Sequence, residues 1–79
     1  MWRVKAIVKL KDGVLDVQGR AVEAAMKHLG YVDVKELKIG KYIEFLTEKK
    51  PDEKALQKIG EDLLANPVIE IIEFSVEKK

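Results

Sequence analysis

Residues 33–48 constrain the fold most, because apolar and polar side chains alternate through this stretch. The apolar side carries four large residues, and only Lys41 interrupts them. The apolar residues are Leu37, Ile39, Ile43 and Phe45, and the polar side carries Glu36, Lys38, Tyr42 and Glu44. A period of two is typical of a strand with one buried face. The pattern therefore predicts a strand of unusual length.

Gly40 and Lys41 could instead form a two-residue turn between two short strands. Such a hairpin would pair Leu37 with Glu44 and put charge on the apolar face, whereas one continuous strand keeps the alternation. We therefore expect a single long strand, bent or bulged at Gly40. At about 3.3 Å per residue it would run roughly 50 Å, further than its neighbours can reach. We expect its second half to build a homodimer or a higher even oligomer.

The length and composition predict one small domain that has no cysteine and therefore no thiol chemistry. The 79 residues include no cysteine, which excludes disulfides, a thiol nucleophile and sulfur ligands for a metal. A formal net charge of +1 argues against strong nucleic-acid binding, which depends on an excess of basic residues. No run of residues reaches transmembrane length, and we find no signal-peptide pattern at the N-terminus. We expect a single domain over residues 1–79, located in the cytoplasm.

The first half of the chain predicts a strand and then a helix. Residues 2–10 alternate between apolar and mostly charged side chains, as in a strand with one wet face. Asp16 is the expected N-cap of a helix over residues 17–29, and Gly30 is its expected C′ residue. The apolar stripe of this helix is Val22, Ala25, Met26 and Leu29.

The second half predicts another helix and a third strand. Pro51 and the acidic residues after it are typical of a helix start, and Asn66 before a proline is typical of a helix end. Gly60 lies inside the apolar stripe, so we expect close approach of this helix to the sheet there. Residues 68–76 predict the third strand.

The order strand, helix, strand, helix, strand predicts an α+β fold with an antiparallel sheet and both helices on one face. The other face is mostly charged, yet it carries more apolar side chains than a face exposed to water requires. These side chains are Ile7, Tyr42, Leu46, Ile69 and Ile71. This composition favours a subunit contact on the open face.

No pattern in the sequence predicts catalysis. His28, the single histidine, lies where it would interact with a helix dipole, and Ser75 has no histidine near it in sequence. The glycines match neither a dinucleotide-binding nor a P-loop spacing. The loop after strand one offers Lys11 but no arginine, which argues against an acylphosphatase-like anion site. We expect no catalytic residue, no metal site and no cofactor on this chain.

Three segments resemble the PurS family, the small subunit of phosphoribosylformylglycinamidine synthase. They are VLDVQG at residues 14–19, IGKY at residues 39–42 and LLANPVIE at residues 63–70. With LGY at residues 29–31 and the element order, they extend the resemblance over essentially the whole chain. Val17 departs from the pattern, since the family often has proline after the aspartate.

The resemblance implies an accessory subunit that bears no catalytic residue. The enzyme uses ATP and glutamine to amidate formylglycinamide ribonucleotide; a synthetase subunit with ATP and Mg performs this chemistry, and a glutaminase subunit supplies ammonia. The small subunit forms dimers or larger homo-oligomers that bridge the two. Candidate contacts with these partners are Asp16, Gln18, Gly19, Gly40, Lys41, Asn66 and Pro67. The alternative is a free-standing ferredoxin-like regulatory domain that binds a small effector at a dimer interface.

Overall fold

A computed structural model describes residues 1–79 as a three-stranded antiparallel sheet with two helices. The strand order is β2-β1-β3, so the first strand lies in the centre. The elements are β1 (Trp2–Leu10), α1 (Val17–His28), β2 (Lys41–Thr47), α2 (Glu53–Ile59), a π-helical turn (Gly60–Leu64) and β3 (Glu70–Lys78). The predicted α+β class and element order are confirmed.

The core is built on alternate residues of β1. Val4, Ala6 and Val8 are fully buried, and Leu56 of α2 is the fourth buried apolar residue. Neighbouring strands place apolar residues beside them, since Ala6 pairs with Ile43 on β2 and with Phe74 on β3. These partners are only half-buried. The core is therefore one strand wide, and it contains no side chain of α1.

The predicted long second strand is wrong, because β2 begins only at Lys41 and has seven residues. Each of these residues pairs with β1, so β2 has no unpaired end that could build an oligomer in the predicted way. The residues just before β2 bind carboxylates of α1 and its N-cap instead of a strand. The backbone amide of Leu37 donates to Glu23 Oε1 at 3.1 Å, and that of Ile39 donates to Asp16 Oδ2 at 2.9 Å. Glu36 has a φ of 54°, which a strand cannot contain. The hairpin at Gly40 and Lys41 is not formed either.

Helix α1 begins and ends close to the predicted positions. Asp16 is the N-cap, and the helix ends at His28, one residue before the predicted limit, so that Leu29 is the C-cap. Gly30 has a φ of 103°. A residue without a Cβ adopts this left-handed conformation without strain, which explains the glycine after the helix.

Helix α2 packs against β3 at Gly60, as the sequence predicted. A Cβ atom at Gly60 would lie 3.1 Å from Ile72 Cγ2 and 3.1 Å from Phe74 Cε2. The helix then widens into the π-helical turn, in which the amide of Ala65 donates to the Gly60 carbonyl oxygen at 2.8 Å.

Strand β3 is shifted by two residues from the predicted range of 68–76. Asn66 explains the later start, because its carbonyl oxygen accepts from the amides of Ile69 and Glu70 and so forms a turn. The strand continues to Lys78, which pairs with Trp2.

Helix α1 lies beyond the end of the sheet rather than over it. The longest dimension of the molecule is 48 Å, whereas a nine-residue strand spans only about 30 Å, so the chain extends well beyond the sheet. The predicted apolar stripe of α1 remains largely uncovered, since only Met26 of its four members is half-buried. The sheet therefore carries α2 on one face, and α1 extends from it as an arm.

Candidate subunit-contact site

The seven predicted contact residues lie in loops and element ends that meet at one end of the sheet. Strand β1 ends there at Leu10, which pairs with Glu70 at the start of β3. Lys41 at the start of β2 pairs with Val8 near the same end. The three connections around residues 11–16, 40 and 65–69 are thus neighbours in space although they are far apart in sequence.

Asp16 ties α1 to the segment before β2. Its Oδ1 accepts from the amide of Gly19 at 2.8 Å, and its Oδ2 accepts from the amide of Ile39. These two hydrogen bonds, that from Ile39 first, lower the pKa of the Asp16 carboxyl below its ordinary value. Gly19 is buried in the same junction, where a Cβ atom would collide with the Asp16 carboxylate and the Leu37 carbonyl oxygen. Both residues therefore have a structural role.

Gly40 and Lys41 connect the arm to the sheet. A Cβ atom on Gly40 would lie 2.5 Å from the Val8 carbonyl oxygen, so only glycine fits beside β1. The Lys41 Nζ donates to the Leu64 carbonyl oxygen at 3.3 Å, at the end of the π-helical turn. This exposed lysine thus joins β2 to the connection that carries Asn66.

Asn66 makes the hydrogen bonds that shape the connection before β3, whereas two other candidate residues make no side-chain hydrogen bond. The side-chain oxygen of Asn66 accepts from the backbone amide of Val68 at 3.0 Å, and the backbone amide of Asn66 donates to Glu70 Oε1 at 2.7 Å. Pro67 and Gln18 are exposed, and neither makes a hydrogen bond through its side chain. Gln18 and Pro67 therefore have side chains available to a partner, and the exposed Lys41 ammonium has further donors besides its bond to Leu64.

Sequence reasoning missed a groove between α2 and β3. It has a volume of about 720 Å³, and its apolar floor consists of Leu56, Gly60, Ile72, Phe74 and Val76. We call it the α2–β3 groove. Gly60 predicted only the close approach of α2 to β3, so no signal in the sequence indicated the open space beside it.

The open face of the sheet combines ion pairs with apolar side chains. Lys5 Nζ lies 3.0 Å from Glu77 Oε1, and the hydrogen bond to this carboxylate raises the pKa of Lys5. Ile7 and Tyr42 pair across β1 and β2 on the same face and are 48% and 58% exposed. The predicted apolar character of this face is present in the structure, and a subunit contact on it stays a prediction.

The structure contains no group of three or more histidine, aspartate or glutamate side chains placed to hold a metal ion. His28 is exposed in the last turn of α1. Neither helix has the length and apolar character needed to cross a membrane.

A small α+β fold with a narrow core and many exposed apolar side chains is typical of the class of proteins that associate with other chains. The sequence model of the PurS family, described as phosphoribosylformylglycinamidine (FGAM) synthase, matches residues 3–78. The chain belongs to the PurS family.

Named relatives and solved structures are similar to this chain over nearly its full length. The phosphoribosylformylglycinamidine synthase subunit PurS of Methanocaldococcus jannaschii is 41% identical, with 99% of this chain and 98% of the relative covered. The same subunit of Bacillus subtilis is also 41% identical, covering 99% and 95%. The structure of B. subtilis PurS has a TM-score of 0.90 at 44% identity, over 99% of this chain and 100% of that one. A chain of the PurLQS structure from Thermotoga maritima has a TM-score of 0.79 at 31% identity, covering 98% and 99%.

Proposed function

We propose that this chain is an accessory subunit of phosphoribosylformylglycinamidine synthase, which acts in purine biosynthesis in the cytoplasm. The observation that carries the proposal is the full-length similarity to PurS subunits, including a chain of the T. maritima PurLQS structure. The complex amidates formylglycinamide ribonucleotide with nitrogen from glutamine and energy from ATP. This chain binds the synthetase and glutaminase subunits as a homo-oligomer, and ATP and Mg bind to the synthetase.

Such a subunit contributes by holding the glutaminase and synthetase sites in place, and it carries out no chemical step itself. Ammonia released at a glutaminase site has to reach the synthetase site before it escapes into water. Holding two reacting sites in a fixed geometry converts a bimolecular encounter into an effectively unimolecular one, which can lower a barrier by several kcal/mol. A subunit that fixes this geometry controls coupling without touching a reacting atom.

The end of the sheet that carries Gln18, Lys41 and Pro67 is the proposed contact with the larger subunits. Asp16, Gly19, Gly40 and Asn66 belong to the same site as the residues that shape it, through the hydrogen bonds and close approaches described above. An exposed cation beside loop backbone, as at Lys41, suits a carboxylate on a partner.

Assembly tests the proposal directly. The synthetase and glutaminase from the same organism are mixed with the chain, and the mass of the complex is measured by sedimentation. We expect all three chains in one species. Lys41→Glu should weaken its formation by about tenfold or more, because it reverses the charge at the proposed contact. Lys49→Glu is the matched control, since this exposed lysine follows β2 at the opposite end of the sheet. Equal effects of the two variants would exclude the proposed contact, and failure of the wild-type chain to join the complex would exclude the function.

A further inference from the structure

The turn after β1 contains an aspartate followed directly by a glycine, Asp12 and Gly13. The turn belongs to no helix or strand, and one backbone hydrogen bond closes it, from the Val14 amide to the Lys11 carbonyl oxygen at 3.2 Å. The side chain of Asp12 is 99% exposed, and Gly13 is exposed as well. This dipeptide is therefore open to water.

Gly13 leaves its own backbone nitrogen accessible to the Asp12 carboxyl group. Its amide donates no hydrogen bond within the chain. A Cβ atom at this position would have no neighbour within 4 Å, and the φ of 85° is one that glycine adopts without strain. The nitrogen is thus neither covered by a side chain nor held by an acceptor.

One contact restrains the Asp12 side chain. Lys38 Nζ lies 3.4 Å from Asp12 Oδ1, and the lysine side chain is itself 59% exposed. An ion pair between two exposed groups contributes little, because water screens the charges and both side chains lose conformational freedom. The carboxyl group is therefore free to turn towards the neighbouring nitrogen.

The other aspartates and the single asparagine lack this combination. None of the other four aspartates precedes a glycine. Asp16 has both carboxylate oxygens bound to backbone amides. Asn66 precedes a proline, whose nitrogen carries no hydrogen. Asp12 thus differs from every residue of the chain that could form the same five-membered ring.

We propose that Asp12 is a site of spontaneous isomerisation to isoaspartate. The Gly13 nitrogen attacks Cγ of the protonated Asp12 carboxyl group; an N–Cγ bond forms, one C–O bond of the carboxyl group breaks, and water leaves with the amide hydrogen. The product is a five-membered cyclic imide. A second water opens the ring: attack at Cγ restores aspartate, whereas attack at the main-chain carbonyl carbon leaves the chain running through Cβ and Cγ. Water is returned in full, and no oxidant or further reactant is consumed.

The modified turn differs in two ways that affect its contacts. The main chain gains one carbon atom between residues 12 and 13, which changes the span that the Val14–Lys11 hydrogen bond closes. The carboxylate then stands directly on Cα and recedes from Lys38, which lies in the segment before β2. The reaction therefore alters the junction between α1 and the sheet, and it is a property of the chain alone, independent of the proposed function.

Uptake of heavy oxygen from water measures ring opening. Each passage through the imide places one oxygen atom of the solvent in the carboxyl group, whichever product forms. The full chain is incubated at neutral pH in water enriched in heavy oxygen and is then digested in ordinary water. Fragment ions of peptides that span residues 10–20 separate label at Asp12 from label at Asp16, and chromatography separates the isoaspartyl from the aspartyl peptide.

We expect label at Asp12 to accumulate at least about tenfold faster than at Asp16, because Asp16 reacts only after the start of α1 opens. The rate at Asp12 should lie within about threefold of that in a synthetic peptide of residues 8–17, since an unprotected turn behaves like the unfolded chain. A folded rate more than about tenfold below that of the peptide would show that the fold protects the site, and would overturn the proposal. Equal labelling of Asp12 and Asp16, or a labelled peptide that elutes only in the aspartyl form, would overturn it as well.

Three variants assign the reaction to this dipeptide. Asp12→Glu should abolish isoaspartate formation, because closure would require a larger, six-membered ring. Asp33→Glu is the matched control, since this exposed aspartate precedes a valine, and it should leave the labelling of Asp12 unchanged. Gly13→Asn tolerates the left-handed φ but places a side chain beside the attacking nitrogen, so labelling at residue 12 should be clearly slower. Isoaspartate that persists in the Asp12→Glu protein, or an unchanged rate in the Gly13→Asn protein, would contradict the proposal.

Discussion

Gly60 allows a quantitative test of how α2 packs on β3. The first carbon of any side chain at this position would lie 3.1 Å from Ile72 Cγ2 and from Phe74 Cε2, whereas carbon atoms pack best at about 3.5–4.0 Å. Leucine adds four carbons at this place. Overpacking typically costs about 1–3 kcal/mol, and because the first carbon already crowds two side chains we expect the upper end of that range. Leucine also gains about 1 kcal/mol over glycine as a helix former. Gly60→Leu should therefore lower the free energy of unfolding by about 2 kcal/mol.

Urea denaturation followed by the fluorescence of Trp2, the single tryptophan, measures this change. All variants need the same protomer concentration, because self-association makes the apparent stability depend on it. Lys58→Leu, which adds leucine on the exposed side of α2, should stay within about 0.5 kcal/mol of the wild type. Gly60→Ala should lie between the two. A Gly60→Leu protein at least as stable as the wild type would refute the close packing of helix and sheet.

Two further predictions concern the junction between the arm and the sheet. Asp16→Ala should lower the thermal midpoint at neutral pH more than Asp12→Ala, because it removes the acceptor for the amides of Gly19 and Ile39. Since the pKa of the folded Asp16 carboxyl is lowered, its stabilisation is complete above the ordinary pKa of about 4 and is lost as the pH falls towards the folded value. The two variants should therefore converge in acid, and a difference that persists unchanged at pH 2 would contradict the assignment. Gly40→Ala should destabilise by about 1–3 kcal/mol in the same urea assay, because its Cβ would meet a backbone oxygen of β1 that cannot move aside; a neutral effect would show that the strands tolerate the shift.

The sequence predicted most of the elements because their signals are local. Asp16 and Gly30 mark the ends of a helix through their own backbone chemistry, and the alternation in residues 2–10 appears unchanged in β1. The close approach at Gly60 was also predictable, since a glycine in an apolar helix stripe needs a steric reason. Each of these signals depends on a few neighbouring residues.

The prediction of a strand over residues 33–40 was wrong for a reason that cannot be read from the local sequence pattern. Alternation over residues 33–40 is real, but the amides of Leu37 and Ile39 bind carboxylates 14 and 23 residues earlier in the chain. Successive side chains of any extended backbone point to opposite sides, so an extended segment outside a sheet can carry the same alternation as a strand. The choice between them depends on which hydrogen-bond acceptors the fold brings close, and this information is non-local.

The arm and the groove escaped prediction for a related reason. The apolar stripe of α1 indicates that the helix is covered, but it does not indicate by which surface or on which copy. The candidate contacts at Asp16, Gly19, Gly40 and Asn66 were chosen from family-like segments, and the structure assigns them hydrogen bonds and tight packing. Whether the site that they shape binds the larger subunits stays a prediction.

The most direct test of the accessory role is reconstitution of the enzyme with and without this chain. The cognate synthetase and glutaminase are supplied with formylglycinamide ribonucleotide and ATP, and the rate of formylglycinamidine ribonucleotide formation is measured with glutamine or, separately, with ammonium as nitrogen donor. The chain alone should turn over neither ATP nor glutamine. We predict that omitting it abolishes the glutamine-dependent rate and leaves most of the ammonium-dependent rate, because the synthetase chemistry is intact and only the transfer of ammonia is lost. An equal glutamine-dependent rate without the chain would contradict the accessory role and would favour the effector-binding alternative.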